Sequence, residues 1–338
     1  MKRKPSFTLN RGLMIIALMA LLSVAIAVIS MNTGKMNLSP AQVLDVVLGK
    51  GTDKERLIVF EFRLPRIILA LLVGVGMGAS GTIMQSLLRN DMASPGTLGI
   101  SSGSGLFVLL YVVMFSAQSK ASPIILPLLA FLGGITAAAL IFLLSHRRGR
   151  DTSPTGLILT GVALGTGYGA LTTLLTLKLD EKQMEFIQRW NAGNLWGDDW
   201  RNLAVLAPWT LLLWGYAFYR SRMLNAIQLG NDTAKGLGVA VKTEFLGLSI
   251  AAVALSAGSV ALGGSFFFVG MIAPHMARKL VGPNHKLLFP AASFCGAIII
   301  LIADTLTRTI SLGADVPVGI VITVLSTPYF LYLMARSN

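Results

Sequence analysis

Charge is scarce in this sequence, and four ionisable residues stand where it should be most costly. Arg63 and Arg66 flank Leu64-Pro65 at the start of one long apolar run, and Asp304 and Arg308 stand four apart near the end of another. A charged side chain at a bilayer boundary must pair, face an aqueous cavity or reach the headgroup layer. Asp304 and Arg308 are one helical turn apart, so an i,i+4 ion pair is within reach. Arginines gathered at one membrane face have a second use. They can grip acidic groups on an external protein or ligand through charge-assisted, bidentate hydrogen bonds. Either way the chemistry is recognition, not bond-breaking.

No catalytic constellation accompanies them. The sequence has no HExxH, no GxSxG and no paired carboxylates within an apolar run. It also has no GxxxxGK[ST], so it cannot cradle a nucleotide phosphate in the P-loop manner. The single cysteine, Cys295, lies in FCGAIIILIA, and His146, His275 and His285 are far from ligand spacing. A disulfide frame, a metal centre, a bound cofactor and an enzyme activity are therefore not expected. The net charge of +13 would point to nucleic acid in a soluble protein, but its distribution explains it differently.

The elements that must position these residues are membrane helices. Hydrophobic residues make up 54% of 338 positions and charged ones 13%. Segment after segment is as apolar as a span of about 20 residues requires. Ten spans are predicted, near 13–31, 65–88, 95–117, 122–145, 154–178, 203–221, 243–262, 266–281, 288–311 and 317–335. The first follows MKRKPSFTLNRG and resembles a secretory signal, but its apolar run of about 19 residues is long for one, so an uncleaved helix is expected. The span 266–281 is short, follows Gly263-Gly264 and carries Pro274, which marks a broken or partly inserted helix. Runs of small residues, GVGMGASG at 74–81 and SSGSG at 101–105, predict close helix packing.

An even number of spans puts both termini on one side. With both inside, the inner segments hold 16 Lys and Arg against 4 acids and the outer ones 12 against 11, as the positive-inside rule requires. Two hydrophilic segments remain. The outer one, 179–202, carries Trp190, Trp196 and Trp200, read as interface anchors. The inner one, 222–242, is glycine-punctuated, with Leu224, Ile227, Ala234 and Leu237 able to share one apolar face, and suits a docking element for a cytoplasmic partner.

Five motifs in order carry a resemblance. They are RLPR at 63–66, GASGTIMQSLLRNDMASPGTLGISSGSG at 78–105, LGNDTAKGLG at 229–238, FVGMIAPHMARKLVGPNHK at 268–286 and ADTLTRTI…DVPVGI at 303–320. Across roughly residues 55–335 the chain resembles the permease subunits of bacterial binding-protein-dependent importers for ferric siderophores, haem and vitamin B12. The resemblance implies an all-α, ten-helix permease domain spanning 1–338 in the bacterial cell membrane, moving its cargo by alternating access. It implies a second permease subunit (a copy or, preferably, a different chain), cytoplasmic ATP-binding subunits and an extracytoplasmic solute-binding protein, with a ferric siderophore the favoured cargo. Arg63, Arg66 and Arg308 would meet acidic residues of the binding protein. Leu229, Gly230, Asp232, Ala234, Leu237 and Gly238, within 222–242, would couple to the ATPase. Asn231 stands where the family often has Glu, Asp91 where Pro is usual, Asp315 where Glu is common and Ser326 at a frequent Gly position. The competing reading, an ion-gradient-driven transporter, needs ionisable groups at mid-membrane. Asp304 alone approaches that description, and the segment 222–242 would then have no use.

Overall fold

A computed structural model describes residues 9–34, 38–115, 125–145, 154–195, 198–309 and 316–336. Helix α1 (Leu9–Asn32) is followed by the short α2 (Pro40–Val47) and α3 (Asp53–Arg56), each opened by a capping box. A π-helical segment, Leu57–Arg63, feeds straight into α4 (Leu64–Leu88); Pro65 has no N–H to continue the ladder, and the Phe60 carbonyl one turn back accepts the Trp200 indole N–H instead. Then come α5 (Ile100–Phe115), α6 (Ile125–Ser145), α7 (Pro154–Thr176), α8 (Glu181–Asn191) and α9 (Trp200–Tyr219). The short α10 (Ser221–Gln228) and α11 (Asn231–Gly236) precede α12 (Val241–Gly263), α13 (Val269–Val281), α14 (His285–Thr309) and α15 (Val318–Arg336).

Each predicted span falls on one of these helices. Among the described residues six stretches are long and apolar enough to cross a bilayer: α1, 53–88, α6, α7, α12 and α14; α5 and Val318–Tyr332 of α15 are shorter apolar helices. Two boundaries differ from expectation. Residues 95–99 form a turn, closed by the Ser94 and Thr97 hydroxyls on each other's backbone amides, so the helix opens only at Ile100. At 266–281 the chain is non-helical from Gly264 to Phe268, and α13 is 13 residues long. About 20 Å of helix cannot cross a hydrocarbon core of about 30 Å.

Helix α4 is the axis, packed against α14, α12 and α13. Its small residues let backbones touch: a Cβ at Gly81 would sit 1.8 Å from the Gly270 carbonyl oxygen. Between lipid-immersed helices such close packing, not hydrophobic burial, holds the bundle. The α12–α13 break is covered by the chain after α8. The amides of Asn194 and Leu195 both donate to the Gly263 carbonyl at 3.0 Å, and the Gly319 amide donates to Gly193 at 2.9 Å. Irregular backbone inside the bundle is thereby satisfied. This segment corrects one expectation. Trp190 is 1% exposed and belongs to the core, since α8 folds inward over α5; Trp200, 41% exposed, lies at the surface and donates its indole N–H to Phe60. Trp196 lies outside the described residues.

Candidate functional site

Two places gather the polar residues, one at each end of α4, which at 25 residues is about 37 Å long. At its N-terminal end, assigned outside by the charge bias, the π-helical segment and α4 bring Arg63 and Arg66 against the C-terminal end of α14. Asp304 is fully buried there. Its Oδ1 accepts from Arg66 Nε at 2.7 Å and its Oδ2 from Arg308 Nε at 2.9 Å. A single carboxylate thus anchors two guanidiniums. Arg66 Nη1 also donates to Asp198 at 3.2 Å, Arg308 reaches the Ser30 hydroxyl, and Arg63, 5% exposed, donates to the Met31 carbonyl. Helix α1, lying along α14, supplies the last two acceptors.

Arg63, Arg66, Arg308 and Asp198 line an open cleft of ≈ 550 Å³, with Lys54 and Arg189 on its walls and Asp304 buried behind it. Among its described lining residues five cations face one acid, Asp198. Burial holds the Asp198 carboxyl above the ordinary range, against the pull of Arg66. Cations in excess on low-dielectric walls bias the field of the cleft toward anions.

At the other end, Leu88 terminates α4 and Arg89 adopts a left-handed conformation (φ 48°). Its guanidinium turns onto the next functional element, donating to the Ile227 carbonyl at 3.1 Å and to the Asn231 side chain. Gly230, at φ 113°, makes the corner between α10 and α11 that side-chain-bearing residues rarely adopt, and Gly238 at φ 80° closes the pair. Beneath α10 lies a neutral network. Asn225 Oδ1 accepts from both the backbone N–H and Nδ1 of His285, at 3.0 and 2.7 Å, and His285 Nε2 meets the Ser86 hydroxyl at 2.5 Å. Gln228 donates to the same hydroxyl at 3.5 Å.

A model of the FecCD transport family matches residues 20–336. The chain belongs to that family. It is 42% identical, over 97% of its length and 98% of the relative's, to the iron(3+)-hydroxamate import system permease protein FhuG of Bacillus subtilis. It is 36% identical to the hemin transport system permease protein HmuU of Yersinia pestis, covering 96% of both chains. A solved metal-chelate-type ABC transporter, in an inward-facing conformation, superposes with a TM-score of 0.81 at 31% identity over 96% of this chain and 99% of that one. This FecCD protein is a helical membrane permease, not an enzyme.

The three arginines named from sequence converge on one cleft of the permease. The inner set divides. Leu229 and Leu237 are 65% and 64% exposed and Asp232 is open to solvent, whereas Ala234 is fully buried. Leu224 and Ile227 are also buried, so the amphipathic face is covered by the permease itself and the outward apolar groups are the two leucines. Asp198, Ser30, Arg89, Asn225 and the role of His285 escaped sequence reasoning. Arg89 offered a signal, as a cation just beyond a long apolar helix; the others meet their partners only through tertiary contact.

Proposed function

We propose that this FecCD permease forms half of the membrane pathway of an ATP-driven importer and carries a ferric siderophore by alternating access. In this reading ten segments span the membrane with both termini inside, the eighth being α13 together with the irregular stretch Gly264–Phe268 that precedes it. A second permease subunit completes the pathway, and an extracytoplasmic solute-binding protein delivers the cargo. Two cytoplasmic ATP-binding subunits drive the cycle. The observation that carries the reading is a cationic cleft at one end of α4 and an exposed, glycine-bounded helix pair clamped to its other end. Arg63, Arg66 and Arg308 meet acidic side chains of the binding protein. Leu229, Leu237 and Asp232 face the ATPase, with Gly230 and Gly238 shaping the element and Ala234 packing it onto the permease. Among ferric siderophores a hydroxamate is the cargo chosen here, after the relative of 42% identity.

Asp304 answers the ion-gradient alternative. It is saturated by two arginines at one end of α14, whereas a coupling carboxylate must exchange its ion. The test is uptake of radio-iron as a ferric hydroxamate by proteoliposomes holding this permease, its partner permease, the ATPases and the binding protein. Uptake that requires ATP and the binding protein supports the proposal; uptake driven by an ion gradient without ATP refutes it.

A further inference from the structure

Both oxygens of Asp304 are taken and the residue has no exposed surface, so nothing arriving from outside can displace it. Asp198 differs in every respect. Its side chain is 38% exposed, it holds Arg66 by one bond at 3.2 Å, and it stands in the cleft wall where an incoming group would arrive. It is also the one acid among the described lining residues of an otherwise cationic cleft. Arg66 thus has one permanent and one replaceable carboxylate partner.

We propose that Asp198 is an internal competitor of the docking partner: it occupies Arg66 in the undocked permease, and a carboxylate of the solute-binding protein takes its place. The inference rests on the docking reading above. Asp304 holds Arg66 Nε throughout, and exchange of one carboxylate for another keeps Nη1 hydrogen-bonded before and after docking. It also makes docking selective, because only a partner that places an acid within reach of Nη1 recovers the bond given up. A carboxyl kept above the ordinary range by burial is easier to release than one stabilised as an anion.

A competitor makes a prediction of unusual sign: removing it improves binding. The permease complex in nanodiscs is titrated with its purified solute-binding protein at low and high salt. Asp198→Asn, isosteric and half-exposed, should bind about two- to fivefold more tightly at low salt, with the gain fading as salt rises. Asp198→Ser should do the same, which separates charge from shape. Arg66→Glu should bind far more weakly. Wild-type or weaker affinity in both Asp198 variants, with Arg66→Glu still defective, would overturn the exchange and leave docking intact. Wild-type affinity in Arg66→Glu would overturn the docking reading itself.

Discussion

The two ends of α4 solve the problem of meeting a partner by different physics. The outer cleft displays cations held by a buried carboxylate, and its field extends into solvent. The inner element displays two leucines beside the self-neutralising Asp232–Lys235 ion pair, on a frame of neutral hydrogen bonds fixed by Arg89. Charge at a rim sets association rate and orientation more than affinity, and salt weakens it. Apolar groups on a rigid element favour a lasting, salt-tolerant contact. A binding protein that must come and go matches the first design, and an ATPase that stays attached through many cycles matches the second.

The contrast is broken most severely at Asp304. Replacing it with alanine leaves Arg66 and Arg308 facing each other without their shared anion, a loss of about 3–5 kcal/mol. The purified variant should melt well below the parent in a thermal unfolding assay. Unchanged melting would mean that the outer cluster is not held by its buried pair.

At the inner end the contrast lies between Ala234 and Leu237. Arginine at the buried Ala234 introduces an unpaired charge beneath the element, costing several kcal/mol and lowering the melting temperature. Aspartate at the exposed Leu237 should leave melting unchanged but detach ATP hydrolysis from uptake. If instead Leu237→Asp destabilises the chain and Ala234→Arg does not, the assignment of the two faces is reversed.

Arg89→Ala is smaller. It removes charge-assisted bonds to Ile227 and Asn231, each of about 1.5–3 kcal/mol at most, and frees α11 from α4. The expected result is retained assembly with less uptake per ATP hydrolysed. Smallest of all, Arg63→Lys keeps the charge but loses the planar fork, and should weaken docking only about threefold.

Much of this was legible before the fold was known, because the signals are local. The spans follow from composition over about 20 residues, the break near Gly264 from a short apolar run after paired glycines, and the corner at Gly230 from glycine itself. The Asp304–Arg308 pair follows from helical spacing. The remainder depends on long-range contact. Arg66 and Asp198 are 132 positions apart, and no periodicity joins them. Trp190 resembles an interface anchor until α8 is seen folding inward. The amphipathic pattern at 224–237 shows that an apolar face exists, but not that the permease covers most of it.

An electrostatic outer contact and an apolar inner one respond differently to salt, and titrating both separates them. The affinity of the reconstituted permease for its solute-binding protein and for its ATPase is measured from about 0.1 M to about 1 M salt, as the Debye length falls from about 10 Å to about 3 Å. Binding-protein affinity should fall steeply while ATPase affinity stays nearly level. Equal salt dependence at the two ends would contradict the account.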